Sequence, residues 1–432
     1  MKNAVILILA CLVLVAGHPR AQTAPSPAPE PPSEVKADFL RIIDRPRVPL
    51  DVHHRGVKAP YRNLITEKLD IASERRPDGS FERVPMLVVR PEGVEGRLPV
   101  VIVLHGTGGK KEGTWNWLEH LAHRGIMAVA IDGRYHGERD GGHADTSAYN
   151  NAIHHAFVAN LGEHQAHPWF YDNCWDVMRT VDYLVSRPDV DAARIGLTGT
   201  SKGGIEAFLT AAVDDRIKVV VPALAMQSFR WGLNHDRWQG RANSVQAAHE
   251  AVARELKQPE VNREVCQALW AKVLPGIRDA FDGPSMVRLL AGRPTLFLNG
   301  DRDPNCPIEG AEVAFDAARA AFHEVGADDR LEVMIAKETG HTVTWDQHQA
   351  GIDWFVTWLH PTTPPSTARY LFRKQNFVGP VPAPTKADHP GPRRPIHPHP
   401  ARRLARGPKS GPTPVAVAGP ASAATAEVVP TR

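Results

Sequence analysis

The sequence predicts an α/β protein in which helices cover both faces of a mostly parallel sheet of about eight strands. Two observations support this prediction: short continuous apolar runs recur along the chain, and helical patterns alternate with most of them. Strands that are buried on both faces appear as such runs, and the helices between them return the chain for parallel pairing. The predicted strands span residues 65–73, 84–90, 99–104, 127–131, 194–198, 217–224, 294–298 and 331–335.

The segments between these runs have the composition of turns and helices. The first two predicted strands are joined by Pro77-Asp78-Gly79, a sequence typical of a hairpin turn. The predicted helices, which have apolar residues at helical spacing, span residues 115–124, 174–186, 204–213, 310–325 and 344–359.

A long insertion, residues 226–292, separates the predicted strands 217–224 and 294–298. It contains helical patterns of its own at residues 244–256 and 261–273. Ligands of open parallel sheets bind beyond the carboxyl ends of the strands. Because the insertion begins at such an end, we expect it to cap the site.

The N-terminal segment is typical of a secretory signal peptide. Lys2 precedes an apolar run over residues 4–17, and small and polar residues follow the run. The run is too short to cross a bilayer, which takes about 20 apolar residues, and cleavage is expected after Gly17 or Ala21. Since Cys11 lies inside the run rather than at its end, no lipoprotein anchor is expected. The sequence therefore predicts export to the periplasm or the extracellular space, without stable membrane insertion.

Composition changes on both sides of the predicted domain, residues 37–376. Between the predicted signal (residues 1–21) and this domain, residues 22–36 are rich in Ala and Pro and are predicted to be a linker. Residues 377–432 hold hardly any large apolar side chains, so they cannot offset their ordering entropy and are predicted to be disordered. This tail carries eight basic and two acidic residues, so its own positive charge exceeds the net charge of +3 of the whole chain. The domain itself is therefore net negative, which argues against nucleic-acid binding by the folded part.

Neither a disulfide framework nor a metal site is expected. Cys174, Cys266 and Cys306 remain after the predicted cleavage and allow at most one disulfide, so stability must come from a core. His164 and His167 lie close in sequence, but no cysteine or carboxylate around them has the spacing of a structural zinc site.

The most informative motif is Gly199-Thr200-Ser201-Lys202-Gly203, which lies between a predicted strand and a predicted helix. A strand, Gly-x-Ser-x-Gly and a helix in this order form the nucleophile elbow. The turn is so tight that its glycines must lack side chains, and it exposes the serine oxygen above the sheet. Ser201 is therefore the candidate nucleophile of a serine hydrolase.

A serine nucleophile needs a base, and the base needs an orienting acid, and both candidates follow Ser201 in the expected chain order. The predicted strand 294–298 runs into a loop that contains Asp301 and Asp303, and the last predicted strand is followed by His341. Both loops begin at strand ends, where residues distant in sequence can converge. His341 is the candidate base and Asp303 the candidate acid, with Asp301 as the alternative acid.

The reaction also needs hydrogen-bond donors for the oxyanion. One candidate donor is the backbone N–H of Lys202. The other is expected from the loop His105-Gly106-Thr107-Gly108-Gly109, where Thr107 is the first choice and Gly108 the second. The side chain of Lys202 is expected to be solvated and to pair with Glu206 one helical turn later.

Together these motifs resemble the α/β-hydrolase superfamily over roughly residues 65–359. Within it the chain is most similar to secreted bacterial esterases of the dienelactone-hydrolase-like and acetyl-xylan-esterase-like groups, and it also resembles prolyl-oligopeptidase catalytic domains. The resemblance implies no metal or organic cofactor. It implies the nucleophile Ser201, the acid Asp303, the base His341 and an oxyanion hole of the Thr107 and Lys202 amides. The chain departs from two of these groups. Dienelactone hydrolases proper use cysteine, and the segment before the first strand is too short for the propeller that gates prolyl oligopeptidases.

Four further side chains are candidates for substrate contact. His136 and Arg139 follow a predicted strand end and could contact substrate, although a salt bridge inside the loop is an equal alternative. Trp231 and Trp238 open the insertion and could line an acyl or sugar pocket, or could pack the insertion onto the domain.

The sequence therefore predicts an exported serine hydrolase that cleaves carboxylic esters of small molecules or carbohydrates through an acyl-enzyme. A small-peptide or amide hydrolase of the prolyl-oligopeptidase type, with the same triad, is the alternative. A non-catalytic binding protein on the same scaffold is a further alternative, against which the complete Ser, Asp and His set argues. The acyl group, the alcohol and the oligomeric state stay open.

Overall fold

The computed structural model describes residues 31–143, 145–159 and 165–362, which include a nine-stranded sheet. Along the chain the strands are β1 (His53–Tyr61), β2 (Leu64–Arg75), β3 (Phe81–Pro91), β4 (Leu98–Leu104), β5 (Met127–Ile131), β6 (Val190–Thr200), β7 (Ile217–Ala223), β8 (Thr295–Gly300) and β9 (Leu331–Ala336). Across the sheet the order is β1-β2-β3-β5-β4-β6-β7-β8-β9. The first three strands pair antiparallel, β3 also pairs antiparallel with β5, and β4 to β9 pair parallel. The predicted fold class is confirmed.

Helices lie on both faces of this sheet. Along the chain they are α1 (Pro32–Ile43), α2 (Trp115–His123), α3 (Ser147–Ala159), α4 (Tyr171–Ser186), α5 (Lys202–Val213), α6 (Phe229–Asn234), α7 (Gln239–Asn243), α8 (Gln246–Glu255), α9 (Arg263–Val273), α10 (Gly283–Met286), α11 (Ile308–Glu324) and α12 (Trp345–Leu359). Successive residues of a strand point to opposite faces. Val100 and Ile102 of β4 join the core beneath α1, α4, α5 and α11, whereas Val101 and Val103 join the core beneath α2 and α12.

Strand β1 has no predicted counterpart in the sequence. It contains Gly56 and Pro60 among polar residues, and it pairs only with β2 at the edge of the sheet. Edge strands tolerate proline and lysine, because one of their sides needs no ladder partner. A search for apolar runs therefore misses this strand.

Helix α1 begins inside the predicted linker. Pro32 occupies its first turn, where the fixed φ of proline suits a helix. Val35, Phe39 and Ile43 follow at four-residue spacing and are buried in the core. The prediction of a linker over residues 22–36 is therefore wrong for residues 32–36. The apolar stripe of α1 begins inside an Ala- and Pro-rich segment, whose composition is typical of a linker.

Other predictions about the chain ends fall outside the described residues. These are the signal peptide at residues 1–21, the remaining linker before residue 31 and the disordered tail at residues 377–432. Within the described ranges, no helix has both the length and the apolar character that crossing a membrane requires.

The insertion contains α6 to α10, and its predicted helices correspond to α8 and α9. Both of these helices pack against α3, which belongs to a different connection, the one after β5. Between α8 and α9, the indole N–H of Trp270 donates to Nε2 of His249 at 3.0 Å. Nδ1 of His249 lies 3.1 Å from the carbonyl oxygen of Val245 and, as the protonated nitrogen, donates to it. His249 is therefore held in its neutral form, fully buried.

We expect His249 to lower the free energy of unfolding of the protein as the pH falls. Burial lowers the pKa of His249 from 6.5 to about 4, so the unfolded chain binds its proton at a higher pH than the folded chain does. Stability is then fully present above pH 6.5 and falls as the pH drops toward 4, by up to about 3 kcal/mol for this residue. In urea unfolding at pH 7, 6, 5 and 4, His249→Gln should be less stable at pH 7 and show a shallower pH dependence. Parallel profiles for the two proteins would contradict this.

Candidate active site

Strand β6 and helix α5 meet at Ser201 in a tight turn. Ser201 has φ +57° and ψ −117°, and its backbone N–H donates to the carbonyl of Ala223 at 2.9 Å. A Cβ on Gly199 would lie 2.3 Å from the carbonyl oxygen of Gly203, and a Cβ on Gly203 would lie 2.5 Å from the carbonyl oxygen of Leu104. Both positions need glycine because the neighbouring backbone occupies the space of a side chain. The motif thus explains how the serine is presented at the carboxyl ends of the parallel strands.

The loops after β8 and β9 bring an acid and a base to this serine. Nε2 of His341 lies 2.7 Å from Oγ of Ser201, and its Nδ1 lies 2.7 Å from Oδ2 of Asp303. A proton on Nδ1, donated to the carboxylate, leaves the lone pair of Nε2 for the serine hydroxyl. The side chain of Asp303 is buried, and its Oδ1 accepts from the backbone N–H groups of Asn305 and Cys306. The carboxylate is therefore fixed in orientation.

Asp301, the alternative acid, points elsewhere. Its Oδ1 accepts from the backbone N–H of Thr339 at 3.1 Å. A Cβ on the preceding Gly300 would lie 2.3 Å from the carbonyl oxygen of Thr339, so the two loops touch through their backbones. Asp301 joins the acid loop to the base loop, whereas Asp303 contacts the imidazole.

The loop after β4 lies beside the serine. The N–H of Gly109 donates to the carbonyl of Gly106 at 3.0 Å, which makes Thr107 and Gly108 the central residues of a turn. Gly108 has φ +74°, as the third position of a type II turn requires. A Cβ on Gly106 would lie 3.6 Å from Cβ of Ser201. Thr107, the first-choice donor, therefore follows a residue that is in contact with the elbow.

The backbone and the side chain of Lys202 have different surroundings. As the first residue of α5 it has no acceptor for its N–H within the helix, and it lies at the positive end of the helix dipole. Its side chain is only 1% exposed, and Nζ lies 2.8 and 3.1 Å from the two carboxylate oxygens of buried Glu206. Burial raises the pKa of Glu206 to about 7. The expectation of a solvated lysine is wrong: glycine at position 133 leaves room for Nζ, which would lie 2.7 Å from a Cβ there.

His105 is a positioning residue whose role the sequence analysis missed. Its Nε2 accepts from the N–H of Gly133 at 3.0 Å, so Nδ1 carries the proton and donates to the carbonyl of Gly106 at 2.8 Å. Burial and the nearby charge of Lys202 lower the pKa of His105 to about 3, so it stays neutral. It thereby joins the loop after β4 to the loop after β5. The sequence feature that could have indicated this role is a histidine directly before a glycine at a strand end.

A cavity of about 540 Å³ opens beside His341, within the size range of small-molecule sites. The loop after β4, the start of α2 and the segment after His341 form its walls. Prominent lining side chains are Lys110, Asn116, Trp117, His341, Trp345 and His348. Among the described residues, none from the insertion (226–292) lines this cavity.

His136 and Arg139 do not line this cavity either. The guanidinium of Arg139 is buried and lies 2.7 Å from Glu82 in β3 and 2.9 Å from Asp176 in α4, so neither the expected substrate contact nor a salt bridge inside the loop describes it. His136 is also buried, and its Nδ1 lies 2.8 Å from the carbonyl of Arg134. With Gly108 it lines a second cavity of about 530 Å³ on the other side of the loop after β4.

The two tryptophans of the insertion serve packing. Trp231 stacks on His235 with ring centroids 4.4 Å apart, and a Cβ on Gly310 of α11 would lie 2.8 Å from its ring. Trp238 is half-buried against the main core. Neither lines the cavity beside His341, so the packing alternative describes them.

The cysteines and histidines that raised the questions of disulfides and metals are accounted for by ordinary contacts. Cys174, Cys266 and Cys306 are buried free thiols. Nδ1 of His167 lies 2.9 Å from the carbonyl oxygen of Val273, and His164 lies outside the described residues. In the described part of the chain, no cluster of three or more His, Cys, Asp or Glu side chains could hold a metal ion.

Comparison with known proteins gives a consistent group. Residues 79–231 match the model of the acetyl xylan esterase (AXE1) family. A Bacillus subtilis protein provisionally named as a hydrolase, YtaP, is 26% identical over 343 residues, which cover 76% of this chain and 99% of that protein.

Solved structures with similar folds include two acetyl xylan esterases. Acetyl xylan esterase 1 from Thermoanaerobacterium sp. JW/SL YS485 is 18% identical, with a TM-score of 0.56 over 77% of this chain and 95% of its own. The enzyme from Paenibacillus sp. R4 is 20% identical, with a TM-score of 0.51 over 76% and 93% of the two chains. At these identities the structures establish the fold, and the family match over residues 79–231 supports an ester hydrolase. The chain is therefore a carboxylic ester hydrolase with the α/β-hydrolase fold, similar to the acetyl xylan esterases.

Proposed function

We propose that the protein is a serine esterase that hydrolyses acetylated carbohydrates or small-molecule esters through an acyl-enzyme. In this proposal Ser201 is the nucleophile, His341 the general base and Asp303 the acid that orients it. The observation that carries the proposal is the continuous chain of two 2.7 Å contacts from Oγ through the imidazole to the carboxylate. The acetyl and carbohydrate parts of the proposal are supported by the AXE1 family match.

The first half of the reaction transfers the acyl group to the serine. His341 Nε2 accepts the hydroxyl proton of Ser201 as Oγ bonds to the ester carbonyl carbon. The resulting oxyanion accepts hydrogen bonds from the amides of Lys202 and Thr107. The imidazolium, which Asp303 stabilises, then gives its proton to the alcohol oxygen as the C–O bond breaks. The alcohol leaves and the acyl group stays on Ser201.

The second half repeats these steps with water. His341 accepts a proton from water, whose oxygen bonds to the acyl carbon. The oxyanion of this second tetrahedral intermediate again accepts hydrogen bonds from the two amides. Collapse returns the proton to Oγ of Ser201 and releases the acid. The buried, neutral His105 supports both halves by holding the loop that carries the Thr107 amide.

We further propose that the protein works after export, which the N-terminal pattern over residues 1–21 supports. The mature chain would then begin at residue 18 or 22. N-terminal sequencing of the protein secreted by its host gives a direct reading.

A fluorophosphonate tests the proposed nucleophile. Incubation should add one phosphonyl group, and peptide mass spectrometry should locate it on Ser201, because the reagent reacts with a serine that a neighbouring base has activated. Ser201→Ala should take no label. A label on another residue, or none in the wild type, would overturn the proposal. A preference for aminoacyl anilides over acyl nitrophenyl esters would instead favour the amide hydrolase.

A further inference from the structure

The cavity beside His341 extends from this proposed base along the start of helix α12. Trp345, the first residue of that helix, lines the cavity and is 56% exposed, which is unusual for so large an apolar side chain. Trp117 of α2 lines the same cavity from the opposite helix, and His348 lies between the two indoles. The ring centroid of His348 is 4.4 Å from that of Trp117 and 5.8 Å from that of Trp345, to which it is nearly parallel.

The position of Trp345 is rigid although its ring is exposed. Thr344 and Gln347 form a capping box at the start of α12. The side-chain N–H₂ of Gln347 also donates to the carbonyls of Asn299 in β8 and Met334 in β9. The start of the helix is thus fastened to the two strands that carry the acid and base loops. Because the backbone that carries the indole is already held in place, a ligand that stacks on the ring orders less of the chain when it binds.

The polar lining of the cavity limits what could stack there. Asn116 and Thr342 offer hydrogen-bonding groups at its exposed rim. Lys110 is the one Lys, Arg, Asp or Glu side chain among the described residues that line it. A cationic alcohol could also stack on an indole, but Lys110 would repel it, and none of the described residues that line the cavity has a carboxylate to attract it. The lining therefore suits a neutral ring that has an apolar face and hydroxyl groups at its edge.

The chemistry decides which half of an ester occupies this cavity. In the proposed reaction the imidazolium of His341 gives its proton to the alcohol oxygen, so that oxygen must lie within hydrogen-bond reach of Nε2. The carbonyl oxygen turns the other way, toward the Lys202 and Thr107 amides. His341 and Trp345 line the same cavity, so the wall between them is available to the rest of the alcohol.

We infer that Trp345 and the rim residue Asn116 form the binding site for the alcohol half of the substrate, a pyranoside ring that stacks on the indole. This inference rests on the proposed function and names its substrate class. Trp345 is then a substrate-binding residue that sets specificity between sugar esters and simple alkyl esters.

Acetate esters with different alcohols test this assignment. The three substrates are an acetylated methyl xylopyranoside, phenyl acetate and ethyl acetate, whose alcohol has no ring to stack on an indole. In Trp345→Ala the ratio of kcat/KM for the xylopyranoside ester to that for ethyl acetate should fall about tenfold, mainly through KM. Trp345→Phe should retain most of the ratio. The matched control is Trp354→Ala on the same helix, because Trp354 does not line the cavity, and it should keep the wild-type ratio.

Two outcomes would overturn the assignment while leaving the esterase proposal intact. An equal fall for all three esters would mean that Trp345 only supports the fold, and a fall confined to phenyl acetate would mean an aryl-alcohol site. Calorimetric titration of Ser201→Ala with methyl xylopyranoside separates the two proposals, since it needs no turnover. Binding should weaken about tenfold when Trp345→Ala is added, and equal binding by both proteins would reject the sugar site even if no ester were hydrolysed.

Discussion

Replacing Asp303 with asparagine is expected to lower kcat for ester hydrolysis about 10⁴-fold. The amide would present N–H₂ or C=O to Nδ1 of His341, and an N–H₂ there would force the proton onto Nε2, where it faces the serine hydroxyl. The imidazolium would also lose the buried charge that stabilises it. Initial rates with a nitrophenyl acetate, beside circular dichroism to show an intact fold, give the measurement.

The matched control is Asp301→Asn in the same loop. The oxygen of an asparagine at position 301 can still accept from the N–H of Thr339, so kcat should stay within a few-fold of the wild type. A larger loss in Asp301→Asn than in Asp303→Asn would assign the acid to Asp301 and reject the proposed role of Asp303.

Gly203→Ala is expected to disrupt both the fold and the activity. The new Cβ would lie 2.5 Å from the carbonyl oxygen of Leu104 and 2.7 Å from that of His105, and both obstacles are backbone. We expect a loss of about 3 kcal/mol in the free energy of unfolding, the upper end for an overpacked site. A shift of about 1 Å in the elbow should also cost kcat about 10²-fold or more, because Ser201 and the Lys202 amide move together. Urea unfolding and esterase assays measure the two effects.

Gly232→Ala is the control for this substitution. Gly232 lies in α6, and a Cβ there would meet only the carbonyl oxygen of Arg237, at an ordinary 3.6 Å. Alanine should leave stability unchanged or raise it slightly, since it is the better helix former. If Gly203→Ala were as stable and active as Gly232→Ala, the elbow would not be packed as tightly as its distances imply.

The central parallel strands could be predicted because they are buried on both faces. Strand β4, for example, is apolar at every position, and both of its faces meet helices. Strand β1 and helix α3 could not be found in this way. The first is a polar edge strand, and the second interrupts its buried Tyr149, Ile153 and Ala156 with the polar Asn150, which weakens the apolar pattern.

The proximity of Ser201, Asp303 and His341 could be predicted because each belongs to a local motif at a strand end. The burial of the charged side chains could not be predicted, because it depends on ion-pair partners that are distant in the sequence. Arg139 is buried because Glu82 and Asp176 reach it from distant segments, and a free arginine would have the same local sequence. The position of Trp345 beside the cavity could not be predicted for a similar reason: it depends on how Gln347 of α12 binds the backbones of β8 and β9.

The buried pair of Lys202 and Glu206 constrains how this enzyme can drift in sequence. Glu206 already has a pKa near 7, so a descendant that loses Lys202 can keep a protonated, uncharged carboxyl in the core. A descendant that loses Glu206 first is left with an unpaired ammonium in the core near Ser201, and an uncompensated buried charge is strongly destabilising. Lineages should therefore replace the lysine before the glutamate, or both at once, and a lone lysine at this position should be rare among relatives.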